Sequence, residues 1–190
     1  MKKIFFILLT GIFPLQVMAT PVTAPLSGTW LSKCLPMQDQ EYFVRSIEIH
    51  ENIWTFTDEV FLDQSCVGLP QSEFQTMYKV ALDGQNWDGV NLMITYRPLT
   101  SAAVKKFNTE SLCGMQSWAR GHQVEVADLN CRNKQMPKLE AALFSIYKVE
   151  GPKNTLLWIG DSDNTHSGDS EATRFDHFSE LSYVRDPSSF

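Results

Sequence analysis

The sequence has no basic face. Lysine and arginine together number 16 against 22 aspartates and glutamates in 190 residues, for a net charge of −6. Phosphate contacts need clustered Lys and Arg, so nucleic acid is excluded as a partner, and an anionic membrane surface is disfavoured on the same ground. Apolar runs are equally scarce. After residue 19 none approaches the roughly 20 residues that a transmembrane helix needs. The four cysteines contain no C-x-x-C pair, which removes the usual zinc framework. Neither a Gly-x-Ser-x-Gly elbow nor a His-Glu-x-x-His pair occurs. The four histidines, His50, His122, His166 and His177, are scattered. Ser170, Asp176 and His177 can be combined into a triad on paper, but no strand-to-helix turn presents the serine. These gaps predict a protein that is not an enzyme and uses no cofactor.

The N-terminus supplies an address. Lys2 and Lys3 precede an apolar stretch from Ile4 to Val17, interrupted by Gly11 and Pro14, and Val17-Met18-Ala19 forms a small-residue cleavage site. This pattern predicts a cleavable secretory signal over residues 1–19, of the short kind seen in bacteria. No cysteine follows the site to take a lipid. The remaining chain, roughly 170 residues, suits one domain with its own core. Removing two lysines leaves it more acidic still. The expected location is the periplasm or the medium, with a monomer as the expected state.

Export changes how the cysteines are read. Cys34, Cys66, Cys113 and Cys131 all follow the signal, and an even count in an oxidising compartment predicts two disulfides. Three pairings are possible. The local one, Cys34–Cys66 with Cys113–Cys131, closes loops of moderate length, each worth about 2–4 kcal/mol.

Along the chain, residues 20–26 form a Pro-containing lead-in, and residues 27–190 read as a single β domain. Strands are predicted over Ser27–Cys34, Tyr42–His50 and Ile53–Leu62, the last two joined by Glu51-Asn52. Phe74–Leu82 follows, ended by Asp83-Gly84. Val90–Arg97 is expected to start after a second turn at Asp88-Gly89. Thr100 to Asn108 has a capping residue and an apolar face, and so predicts a short helix. Val124 and Val126 are the best strand candidates between Cys113 and Cys131. Ala142–Val149 and Thr155–Ile159 make another hairpin, and Leu181–Arg185 can close the sheet. Seven or eight short strands with one helix predict an antiparallel sandwich or barrel.

Gly28-Thr29-Trp30 opens the first strand. Later pieces follow in order: Tyr42-x-x-Arg45, Asp63-Gln64-Ser65-Cys66, Leu99 to Val104, Cys113-Gly114-x-x-x-Trp118-x-x-Gly121, Ile146 to Val149, and Leu156 to Asp161. Together they resemble exported bacterial lipocalin-like domains, and are similar to the extracellular domain of animal "adenomatosis polyposis coli down-regulated" proteins. The resemblance spans Ser27 to Arg185. It implies an all-β, calycin-type barrel or half-barrel with a binding role, in which Gly28 and Trp30 mark the closed end and Arg185 lies across the tryptophan. The animal relatives bind lipid-like groups and lipid-modified signalling proteins. This chain departs from the pattern at Arg174-Phe175, where related bacterial chains often carry Arg-Pro.

Two ligand readings follow. Trp54, Phe56, Phe61, Phe74, Tyr78, Trp87 and Trp118 are candidates to line a pocket for a small apolar ligand, or else to fill the barrel completely. In the filled case the protein is an interaction or adhesion module that binds another protein through its loops. The acidic loop offers Asp161, Asp163, Asp169 and Glu171 to calcium as a weaker alternative. It fails the EF-hand pattern, since His166 stands where glycine is needed and Ala172 where glutamate is needed.

Overall fold

The computed structural model describes residues 26–37 and 40–188. The predicted signal at 1–19 and nearly all of the lead-in lie outside those residues.

Eight antiparallel strands close a barrel. They are β1 (Gly28–Leu31), β3 (Tyr42–His50), β4 (Ile53–Phe61), β5 (Ser72–Asp83), β6 (Asn86–Pro98), β10 (Ala142–Glu150), β11 (Leu156–Asp161) and β12 (His177–Arg185). Four two-residue strands lie outside this ring: β2 (Leu35–Pro36), β7 (Val124–Glu125), β8 (Asn130–Cys131) and β9 (Lys134–Gln135). The short β1 does the closing. It pairs with β3 on one side, Trp30 opposite Ile47, and with β12 on the other, Trp30 opposite Arg185. A closed ring leaves no free edge among these eight strands, consistent with the lipocalin-like barrel that the sequence resembles.

Alternation explains what fills it. Ile47 and Ile49 on β3 face inward with Trp54 and Phe56 on β4, while Glu48 and His50 between them are exposed. Trp30, Trp54, Trp87, Val80, Leu157 and Tyr183 complete a packed core at one end of the barrel. Arg185 lies 5.0 Å from the Trp30 ring centroid, and the Trp30 indole donates to the Leu26 carbonyl at 2.9 Å.

The other end is covered by a second, smaller core. Helix α1 (Ser101–Thr109) starts at Thr100, whose hydroxyl accepts from the Ala103 N–H at 3.1 Å. Its buried face, Ala103 and Phe107, packs into a cluster with Ile94, Leu112, Trp118, Val126 and Met136. Both cysteines of the Cys113–Cys131 disulfide lie inside this cluster. Cys34–Cys66 is the other disulfide, so the local pairing is the one that forms. The lid is also tied by charge. The buried Glu41 carboxylate accepts from Lys106 of α1 at 2.6 Å and from Arg132, in the β8–β9 turn, at 3.4 Å.

Two boundaries differ from the sequence reading. Asp88-Gly89 is not a turn: β6 begins at Asn86, straight after Gly84-Gln85, and Gly89 pairs with Val80 and Leu143. A side chain there would meet the Trp87 ring at 2.8 Å and Tyr78 at 3.2 Å. The glycine makes room for packed aromatics instead of reversing the chain. The closing strand likewise starts at His177, four residues before Leu181.

Candidate functional site: a cavity under the lid

Between the two cores lies a cavity of about 350 Å³. Phe56, Tyr78 and Trp87 form its aromatic floor, with ring centroids 5.3–6.1 Å apart in edge-to-face contact. Phe74 and Thr76 of β5 and Ile94 of β6 make one wall, and Leu143, Ser145, Ile159 and Gly160 make the other. Lys134 to Pro137, reaching in from the lid, cover the top.

The polar element of the wall is an ion pair. Arg45 and Asp58 are directly opposed across β3 and β4, and their contact is bidentate: Nε to Oδ1 at 2.5 Å and Nη2 to Oδ2 at 2.7 Å. Ten per cent of the Asp58 side-chain surface is exposed, against 34% for Arg45. Arg45 also lines the cavity, so it remains open on that side. Burial alone would lower the Arg45 pKa. The hydrogen bonds and charge of Asp58 outweigh it and raise the pKa above its ordinary value, so the guanidinium stays charged. The same guanidinium acts on the Tyr183 phenol, favouring its ionised form. Asp161, at the end of β11, adds a second carboxylate to the lining.

The tyrosines give a pH prediction. Burial pushes the Tyr183 phenol up, with Arg45 opposing in part, and burial likewise raises Tyr78 and Tyr96. The folded state therefore favours the neutral phenols. Their contribution to stability is whole below the unfolded value of about 10 and is lost as pH rises through the higher folded values. In an alkaline titration, part of the phenolate absorbance should lag behind that of the denatured chain and appear together with unfolding measured by circular dichroism. Ionisation of all five tyrosines near pH 10 with the barrel intact would contradict the burial described here.

Of the seven aromatic pocket candidates, Phe56, Phe74, Tyr78 and Trp87 line the cavity. Trp54 lies within the packed end, 5.7 Å from Trp87. Trp118 belongs to the lid core, 5.2 Å from Phe107, and its indole donates to the Leu112 carbonyl. Phe61 falls on the opposite face of β4 from Asp58. The barrel is thus filled at one end and hollow at the other.

Sequence reasoning assigned no role to Arg45, Asp58, Tyr183 or Phe175. Phe175 lines the cavity. Arg174 beside it ion-pairs with Asp88 and donates to the Ser145 carbonyl at 3.0 Å. The four calcium candidates, Asp161, Asp163, Asp169 and Glu171, are placed differently from one another. Asp161 faces the cavity, Asp169 accepts from the Thr173 hydroxyl at 2.7 Å, and Glu171 begins a 3-10 turn. Among the described residues, only Asp163 of the four falls in a group of converging ligand atoms, and its companions are His166 and Asp176.

No helix among the described residues is long and apolar enough to cross a membrane. The chain matches no protein-family model and no curated protein.

Proposed function

We propose that this protein is an exported, non-catalytic binding module, acting as a monomer, that holds a small amphipathic ligand in the cavity under its lid. The observation that carries this reading is the composition of the lining: aromatic rings across the floor and one charged pair in the wall. Ligand pockets are concave and mostly apolar, with a few placed polar groups, and occupy about 300–1,000 Å³. This cavity is at the small end, with room for roughly a dozen waters at about 30 Å³ each. A single short chain or a ring system suits it better than a whole two-chain lipid. A wholly apolar ligand would strip water from the open side of Arg45 without replacing it, at a desolvation cost. A ligand with a hydrogen-bonding head at Arg45 and Asp58 and an apolar body over Phe56, Phe74 and Trp87 avoids that cost.

A second reading has its own observation. Leu62, Val67 and Leu69 are all strongly exposed in the loop around Cys66, which the Cys34–Cys66 disulfide fastens. In that reading the protein meets another protein through this loop, and the cavity is incidental.

Native mass spectrometry of protein purified from its host should show a co-purifying small molecule. An environment-sensitive apolar probe should bind saturably with one site per chain, and Thr76→Trp, which fills the cavity, should weaken it at least tenfold while the circular dichroism is retained. No bound molecule together with no saturable probe binding would discard the ligand reading in favour of the loop.

A further inference from the structure

Beside the cavity, the loop after β11 and the first residues of β12 bring two imidazoles and two carboxylates together. His166 Nδ1 lies 3.1 Å from Asp163 Oδ2 and 3.3 Å from Asp176 Oδ1. His177 Nδ1 lies 3.1 Å from Asp176 Oδ1 and 3.7 Å from Asp163 Oδ2. Ligand atoms held about 2.0–2.2 Å from zinc at tetrahedral angles are themselves roughly 3.3–3.5 Å apart. The two distances from His166 are close to that spacing. We propose that Asp163, His166 and Asp176, whose ligand atoms all lie within 4.8 Å of one another, form a site for one divalent transition metal of the zinc class, on the rim of the barrel, with His177 at its edge.

The donor chemistry selects the metal. Calcium takes six to eight oxygen ligands, whereas one imidazole nitrogen with two carboxylate oxygens, and a position left to water, suits zinc. Asp163 is already oriented for the task. Its Oδ1 accepts from the backbone N–H groups of Thr165 at 2.7 Å and His166 at 2.6 Å, and from the Thr165 hydroxyl at 2.8 Å. Oδ2 is left to face both imidazoles. Outer hydrogen bonds of this kind fix a ligating carboxylate in place.

The position gives the ion a consequence. Asp161 is two residues before Asp163 and Phe175 is one before Asp176, and both line the cavity. A metal bridging Asp163 and His166 to Asp176 fastens the rim loop to the start of β12 and fixes that wall. The site does not depend on the cavity holding a ligand.

Hydrogen bonds alone would hold the same groups together without an ion, and the experiment separates the two cases. Untagged protein is stripped with a chelator and titrated with zinc chloride against a chromogenic competitor, then with cobalt(II). The expected result is one zinc per chain, a rise in melting temperature on loading, and the visible bands of four-coordinate cobalt. His166→Gln, at a solvent-accessible position, should weaken zinc at least tenfold with the circular dichroism unchanged, whereas His177→Gln, outside the converging group, should change it little. Absence of stoichiometric zinc binding at neutral pH, or binding that His166→Gln retains, would overturn the proposal.

Discussion

Replacing Trp30 with alanine is expected to cost about 3–5 kcal/mol, the range for truncating a fully buried large aromatic side chain. Trp30 has no exposed surface, and it sits on the four-residue strand that closes the ring between β3 and β12. Truncation removes three things at once: the ring volume in the packed end, the indole bond to the Leu26 carbonyl, and the platform beneath Arg185. Domain stability is of order 5–15 kcal/mol, so this one change consumes a large share of it. Trp30→Phe keeps most of the volume but not the hydrogen bond, and should cost about 1–2 kcal/mol. Arg185 also donates to the Ser27 carbonyl at 2.6 Å, so Arg185→Ala tests more than the cation–π contact. A double-mutant cycle with Trp30→Leu, which removes the aromatic face that phenylalanine would keep, isolates the face-on term, expected at about 0.5–2 kcal/mol. Urea unfolding followed by far-ultraviolet circular dichroism is the measurement, since four other tryptophans confuse emission. A cost under about 1 kcal/mol for the alanine variant would mean that Trp30 does not anchor the closed end.

The barrel strands were legible because most of them obey one rule. Inward residues alternate with exposed ones, as Ile47 and Ile49 do around Glu48, and the β3–β4 turn falls at the expected Glu51-Asn52. The helix was legible from its cap at Thr100. Asp88-Gly89 failed as a turn because the dipeptide carries two meanings. Its turn chemistry is local, whereas the missing side chain at Gly89 answers to Trp87 and Tyr78, which only the paired sheet brings together. The candidate site was half legible. Aromatic residues announce a pocket by type, and four of the seven named line one. Arg45 and Asp58 were readable in principle, since each falls on the inward phase of its strand, 45-47-49 and 54-56-58. A charge in that phase is a sign of either a buried pair or a site. The pairing itself depends on the β3–β4 register. The rim cluster was least legible. Asp163 with His166 and Asp176 with His177 are ordinary surface residues until β11 and β12 are placed side by side.

Removing the lid disulfide with Cys113→Ala and Cys131→Ala is the second large effect expected. Chain entropy alone assigns about 3 kcal/mol to a bridge across 18 residues and about 0.5 kcal/mol more to Cys34–Cys66 across 32. Packing reverses that order. Cys113 and Cys131 are buried against the lid core, so deleting their sulfurs also leaves unfilled volume, whereas Cys34 and Cys66 are only partly covered. The Cys113–Cys131 pair should therefore cost about 4 kcal/mol and exceed the other. The loss should also be unevenly placed. The lid holds to the barrel through Ile94, Met136 and the Glu41 ion pairs, and the eight-strand ring closes without it. Hydrogen exchange should accelerate across residues 112–136 while β3 to β6 keep their protection, and an apolar probe should enter and leave the cavity faster. Uniform loss of protection would instead make the lid part of one cooperative unit with the barrel, and the cavity could then open only when the whole molecule unfolds.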